Sequence, residues 1–307
     1  MGHSHQHGEK GHSHGPKTYG RAFAVGISLN TIFVVVETIY GIASHSVALV
    51  ADAAHNLSDV LGLVFAWAAV ILARRKPSRR RTYGLRKSTV LAALANAVLL
   101  LVAIGGVAWE AVGRLRTPAP IEGKTVIAVA AVGVVINGVS AALFAKGQKG
   151  DANVRGAFLH LASDAAVSLG VVIAGVVILR TGWMWLDPVV SMLISLVILI
   201  GTWGLLKQSV NLALDAAPEG ITPEAVYEYR ASRPGVQAVH DLHIWAMSTT
   251  ETALTAHIVM PFDANGPQLL ATVARALRDD FEIQHSTLQV EAPDAPEECL
   301  LAPEETV

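Results

Sequence analysis

VALVADAAHNLSDVLGLVFAWAAVILA, residues Val47–Ala73, is the stretch whose reading decides the fold. It is long and apolar enough to cross a bilayer as one helix, which takes roughly 20 mostly apolar residues. Yet its first half carries Asp52, His55 and Asp59. Ionisable groups at that depth are costly and mark function by default. His55 and Asp59 are four residues apart, so imidazole and carboxylate stand on one helix face, one turn from each other. The segment therefore reads as a membrane helix with chemistry inside it.

Five further stretches have the same character, at Arg21–Ala43, Ser88–Val112, Thr125–Ala145, Ala157–Leu179 and Asp187–Leu214, which makes six predicted spans. The whole chain of 307 residues agrees, with 52% hydrophobic and only 16% charged residues. A soluble domain carries roughly 25% charged residues. The second-to-third connection holds eight cations, Arg74, Arg75, Lys76, Arg79, Arg80, Arg81, Arg86 and Lys87, and Lys146, Lys149 and Arg155 follow the fourth span. The other side has Arg114, Arg116, Lys124 and Arg180. The positive-inside rule makes the richer side cytoplasmic, and six spans then put both termini there. Topology alone accounts for the basic run, with lipid-headgroup binding or gating as its alternatives. A net charge of -2 argues against a nucleic-acid partner. Cys299 is the single cysteine, which excludes an intrachain disulfide and a thiolate cluster, so metal must be held by His, Asp and Glu. The first twenty residues have no apolar core and do not read as a cleavable signal.

The fifth span repeats the motif of the second, with His160 and Asp164 again four residues apart. If the two faces meet, two imidazoles and two carboxylates converge, a set that suits tetrahedral zinc and that helix bundles build from paired ligands. One such pair reads equally well as a self-satisfied polar contact; its duplication in a second span favours metal. Asp52 is either an acceptor for an imidazole N–H or a polar residue near the membrane surface. Glu37 and Asn137 either line a cation path or hydrogen-bond between helices.

Together with SHSVALVADAAHNLSDV (Ser44–Val60), the segments NVRGAFLHLASDAAVSLG (Asn153–Gly170), LDPVVSMLISLVIL (Leu186–Leu199) and VHDLHIWAMS (Val239–Ser248) resemble the cation diffusion facilitator family, in its zinc-transporting branch, over nearly the whole chain. The resemblance implies a homodimer that exchanges Zn2+ for protons by alternating access. It places the transport site on His55, Asp59, His160 and Asp164, with His rather than Asp at the first position going with zinc over cadmium. A further metal site that some members carry in the second-to-third loop needs Asp and His, which Arg74–Lys87 lacks. Proton coupling follows from the ligands, because unperturbed imidazole titrates near 6.5 and must be neutral to bind metal.

After Asp215 the pattern becomes a small α+β domain. It has a helix at Pro223–Ser232, strands at Val236–Met247 and Thr252–Met260, a helix at Pro267–Phe281 and a strand at Thr287–Glu291. This order matches the ferredoxin-like, metallochaperone-like cytoplasmic domain that the resemblance implies, a module for dimer contact and metal sensing. The same resemblance carries metal ligation onto His240, His257 and Glu291. His285 is expected in the turn before the last strand, able to reach that site or a partner subunit. Strand alternation sets His240 and His243 on opposite faces, so they should not share a metal. His3, His5, His7, His12 and His14 lie in a Gly- and Ser-interleaved segment expected to be disordered, which reads as a native tract that captures metal loosely, with a passive tail or part of an expression tag as the alternative.

The expected organisation is thus 1–20, a His-rich tail; 21–214, a six-helix transmembrane domain; 215–296, a cytoplasmic domain; and 297–307, a C-terminal tail. The expected protein is a multi-pass transporter of a prokaryotic cytoplasmic membrane, with divalent metal, protons and lipid as its partners. An intramembrane zinc hydrolase fits less well, since it would leave one metal position open and no H-E-x-x-H or G-x-S-x-G motif occurs. A non-transporting metal sensor would not need paired ligands inside the membrane.

Overall fold

The computed structural model describes residues 19–145, 152–261 and 266–293. The five N-terminal histidines, the loop cations Lys146 and Lys149, and the 297–307 tail lie outside the described residues.

Six long helices come first: α1 (Tyr19–Ala43), α2 (Val47–Ala73), α3 (Ser88–Arg116), α4 (Gly123–Phe144), α5 (Ala152–Thr181) and α6 (Leu186–Ala213). Helices α2, α3, α4, α6 and the Phe158–Thr181 part of α5 are long and apolar enough to cross a membrane, and α1 adds an apolar stretch at Asn30–Ala43. The predicted spans hold to within a few residues, except that α3 runs on to Arg116 and α5 begins at Ala152. The added turn of α3 carries Arg114 and Arg116. Cations there favour the negative end of the helix dipole and keep their charged heads in water.

Helix α2 lies at the centre of the bundle, packed against α1, α3, α5 and α6. The core to which α2 gives Val47, Ala48, Leu49 and Ala51 also takes in Leu100 and Ile104 of α3, Val126 and Ala130 of α4, Val171 of α5 and Ile194 of α6. The outer surface is apolar instead of polar: Trp109 is 81% exposed, and Val102 and Ile200 are each 68% exposed. Contiguous apolar surface of this extent suits lipid and not water.

The start of α2 is pinned from two sides. Ser46 is its N-cap and accepts from Leu49 N–H at 3.2 Å. Asp187, at the start of α6, accepts from Val47 N–H at 2.7 Å and from Ala48 N–H at 3.4 Å, and also from the Ser46 hydroxyl. A carboxylate there satisfies orphan N–H groups and meets the positive end of the helix dipole.

Close approach requires a glycine where α4 passes α1 and α5. A Cβ on Gly133 of α4 would sit 2.8 Å from Phe33 Cζ and 3.1 Å from Ser168 Oγ. Gly133→Ala should therefore cost about 1–3 kcal/mol through overpacking, read as a lower unfolding temperature in detergent. An unchanged melting curve would show that α1 and α5 yield freely at this crossing.

The tail follows as α7 (Pro223–Ala231), β1 (Ala238–Ala246), β2 (Thr252–Val259), α8 (Gly266–Asp279) and β3 (His285–Glu291). Its sheet order is β1-β2-β3, with β1 antiparallel and β3 parallel to the central β2. Leu242, Ile244, Leu254 and Ala256 form one core with Val226 of α7 and with Val273 and Leu277 of α8, so the helices cover a single face of the sheet. Two departures from the sequence reading matter for the other face. His285 is the first residue of β3, paired with Ala253, and not part of the preceding turn. And β1 carries a bulge between His240 and His243, with Asp241 at φ 51°. His240 pairs with His257 and His243 with Thr255. The extra residue cancels the expected alternation and sets His240 and His243 on the same face.

Candidate metal centre

Helices α2 and α5 run antiparallel along a shared polar face, and their side chains meet as three rungs. His160 Nε2 of α5 lies 3.2 Å from Asp59 Oδ2 of α2. His55 Nε2 of α2 lies 3.2 Å from Asp164 Oδ1 of α5. Ser168 of α5 donates its hydroxyl to Asp52 Oδ2 of α2 at 2.7 Å. The spacing on α5 is four residues per step, and on α2 it is four and then three, so each rung is about one helical turn from the next.

The first two rungs form one cluster. His55, Asp59, His160 and Asp164 each offer a ligand atom within 4.8 Å of the others. The cross-distances are 3.9 Å from His55 Nε2 to Asp59 Oδ2 and 3.7 Å from His160 Nε2 to Asp164 Oδ2. Tetrahedral zinc with bonds of about 2.0–2.1 Å separates its ligand atoms by roughly 3.3–3.4 Å. The four His–Asp separations of 3.2 to 3.9 Å bracket that edge, and all the ligand atoms lie within 4.8 Å of one another, so the arrangement is close to a four-ligand shell. The imidazole rings stand edge to face, centroids 6.0 Å apart, which turns nitrogen atoms toward the centre and leaves the rings unstacked.

Exposure falls along the ladder. The side chains of His160 and Asp59 are 49% and 28% exposed, those of His55 and Asp164 19% and 5%. Asp52 and Ser168 are fully buried. The cluster is thus open at the His160 end and shut at the Asp52 end.

The other polar residues expected inside the spans are placed as follows. Asp52 is buried and bonded to Ser168, not to an imidazole, and His55 Nδ1 has no hydrogen-bond partner. The reading of Asp52 as an acceptor for an imidazole N–H therefore does not hold, since its hydrogen-bond partner is a hydroxyl. Glu37 of α1 is buried and accepts from Asn56 Nδ2 of α2 at 3.0 Å. Asn137 is buried, and its Nδ2 has no hydrogen-bond partner. Asn56, Ser168 and Asp187 are the polar contributors that sequence reasoning passed over. Asp187 stood in one of the four family-like segments, and Asn56 and Ser168 share helix faces with residues already singled out.

A second cluster lies on the face of the tail sheet opposite its helices. His240, His257 and Glu291 offer ligand atoms within 4.8 Å of one another. His257 Nδ1 is 2.9 Å from Glu291 Oε1, and His240 Nε2 is 3.2 Å from Glu291 Oε2 but outside hydrogen-bond geometry. Two imidazoles and a carboxylate fit zinc by donor chemistry. His243 shares the face but its Nε2 bonds Asp241 Oδ1 at 2.8 Å, so what keeps it out of the cluster is this contact and not strand alternation. His285 shares the face too, yet it is six residues along β3 from Glu291, about 20 Å at 3.3 Å per residue. It stands instead edge-on to Tyr83 of the α2–α3 loop, ring centroids 5.6 Å apart.

That loop docks on the tail. Arg86 pairs with Glu251 at 2.8 Å, Lys87 pairs with Asp215, and Thr249 N–H donates to Thr89 Oγ1 at 3.0 Å. Two of the loop's cations thus have specific partners beyond any role in topology.

Comparison with known proteins supplies the remaining observations. A family model described as the cation efflux transmembrane domain matches residues 23–212, and one described as the cation efflux protein cytoplasmic domain matches residues 218–293. The chain is 38% identical over 297 residues to the zinc transporter ZitB of Escherichia coli, covering 95% of this chain and 93% of the relative. It is 36% identical over 291 residues to the metal cation efflux system protein CzcD of Cupriavidus metallidurans, covering 94% and 90%. It is 29% identical over 286 residues to a cadmium, cobalt and zinc/H(+)-K(+) antiporter of Bacillus subtilis, covering 92% of each.

Proposed function

Given that the chain belongs to the cation efflux family of membrane metal transporters, we propose that it carries Zn2+ out of the cytoplasm in exchange for protons, with His55, Asp59, His160 and Asp164 as the transport site. The family is one of transporters and not of enzymes. The observation that carries the proposal is the convergence of the two His/Asp pairs from α2 and α5 at spacings near those of tetrahedral zinc. The names of relatives support zinc as substrate and protons as counter-ion.

The chemistry follows from the donors. Zinc binds neutral imidazole and carboxylate, so each arriving ion must displace protons held at the site. With the basic α2–α3 loop on the cytoplasmic side, His160 and Asp59 face the cytoplasm and the shut end faces outward. That is a site poised to load from within. Alternating access then requires α2 and α5 to open at the Asp52 end and close at the His160 end. Protons from the outer side compete with zinc for the ligands, and reopening inward releases them.

In the tail, His240, His257 and Glu291 would hold a second zinc ion, which would tie β1, β2 and β3 together on the face opposite the helices. We assign this domain to dimer contact and metal sensing. His257→Ala should lower the zinc bound per chain by one equivalent in calorimetry while leaving the transport-site ion in place. Wild-type stoichiometry in that variant would remove the tail site.

The test of the function is zinc flux into liposomes carrying the purified protein, followed with an enclosed dye under an imposed pH gradient. Flux that follows the gradient and collapses with a protonophore is expected. Flux absent, or indifferent to the gradient, would reject proton exchange and reopen the sensor reading.

A further inference from the structure

We propose that Glu37 and Asp52 form a second cation site in the membrane domain, one that holds a single proton between two carboxyl groups and exchanges it against the metal bound one turn away. This rests on the antiport reading and adds a proton carrier that is not itself a metal ligand.

Both side chains are fully buried. Each has one oxygen satisfied: Glu37 Oε2 accepts from Asn56 Nδ2 at 3.0 Å, and Asp52 Oδ2 accepts from the Ser168 hydroxyl at 2.7 Å. The other two oxygens, Glu37 Oε1 and Asp52 Oδ1, have no donor. Asn56, which holds Glu37, stands four residues from Asp52 on α2, so the two carboxyl groups share one helix face about a turn apart. An ionised carboxylate only accepts, so the two can bond to each other only when one carries a proton. One shared proton satisfies both orphaned oxygens at once; none leaves two bare anions buried near each other and away from water, a costly arrangement.

The titratable groups nearest the pair are His55 on α2 and Asp164 on α5. Helix α4 approaches with Gly133, packed against Phe33 and Ser168. Among the described residues no ion pair joins either carboxyl to Lys or Arg.

Placement makes the pair useful. Asp52 precedes His55 by three residues on α2, about 4.5 Å along the axis. Zn2+ in the neighbouring cluster brings two positive charges close to the pair in a medium of low dielectric, where such interactions are strong. The metal then supplies the compensating charge that the proton supplied before. The carboxylic acid gives up its proton to water, and no other bond forms or breaks. The reverse exchange follows when the shut end opens outward: a proton enters from the outer side as zinc leaves. Asn56 and Ser168 hold one oxygen of each carboxyl group, which leaves the other oxygen of each for the shared proton.

Glu37→Gln and Asp52→Asn test this, because each puts a permanent amide N–H where the shared proton would lie. Zinc binding to the full-length protein in detergent is measured by calorimetry in buffers of different ionisation enthalpy, which counts protons released per ion. Each variant is expected to bind zinc while releasing about one proton fewer than wild type, and Glu37→Asp to retain the wild-type count. In liposomes, zinc flux through Glu37→Gln should depend more weakly on the pH gradient than flux through wild type. Should one amide variant not fold, the other carries the test alone. A wild-type proton count in an amide variant that binds zinc overturns the shared-proton site and leaves the antiport reading standing. Wild-type protein that moves zinc without regard to the pH gradient overturns the antiport reading, and this site with it.

Discussion

Alanine at Asp164 is expected to abolish gradient-driven zinc flux, and alanine at Asp59 to come close to doing so. Losing even an outer partner of a metal ligand costs about 10–100-fold in affinity or activity, so losing a ligand itself should cost about 100-fold or more. The two positions are not equal. Asp164 is 5% exposed and stands 3.2 Å from His55 Nε2 on the shut side of the cluster, where water cannot replace it. Asp59 is 28% exposed on the open side, and a water molecule can fill part of its role. The order of severity should therefore be Asp164→Ala, then Asp59→Ala, read as initial flux in matched liposomes with a size-exclusion profile to establish that each variant is folded. Either variant keeping flux within twofold of wild type would move the transport site elsewhere. Reversed severity would mean that the Asp52 end, and not the His160 end, is open to water.

The membrane part of this arrangement was legible because lipid imposes simple rules. A helix in lipid must be long and apolar, so the spans could be bounded to a few residues, and a charge inside one stands out against its background. His55, Asp59, His160 and Asp164 were found on that contrast and on equal spacing. Which oxygen meets which donor was not legible, since it depends on the rotation of α2 against α5 and on the close approach at Gly133. Asp52 shows the limit: the spacing pointed to His55, and the packing gave it Ser168. Asp187 was passed over for a related reason. It lies at a helix start, where an acid is ordinary, and only the fold brings it to the N-terminus of α2. In the tail, the order of elements was readable from alternation, but alternation misled at His243. A one-residue bulge reverses the face of every residue beyond it, and a left-handed Asp241 is a weak signal in sequence because Asp is common in turns of many kinds. The role of Arg86 and Lys87 was equally hidden, for their partners Glu251 and Asp215 belong to the other domain and its linker.

His55→Asp should turn the site from zinc toward cadmium. The wild-type cluster offers two imidazole nitrogens and two carboxylates at separations of 3.2 to 3.9 Å. Zinc is satisfied by four short bonds. A third carboxylate changes both number and size, because a carboxylate binds through one oxygen or two, so the variant can offer more than four donors. It is also shorter than an imidazole and cannot reach as far into the centre, which widens the cage. Both changes favour a larger ion that accepts more ligands. The substitution also sets the new carboxyl group against Asp164 on the least exposed ligand rung, a pairing that needs a bound cation or a proton to be tolerated. Zinc and cadmium flux are measured in the same liposomes, each alone and in competition. The cadmium-to-zinc ratio should rise by about tenfold, the equivalent of about 1.4 kcal/mol in discrimination. A ratio that stays at the wild-type value while zinc flux persists would place selectivity outside His55, with the spacing set by Asp59, His160 and Asp164 as the remaining source.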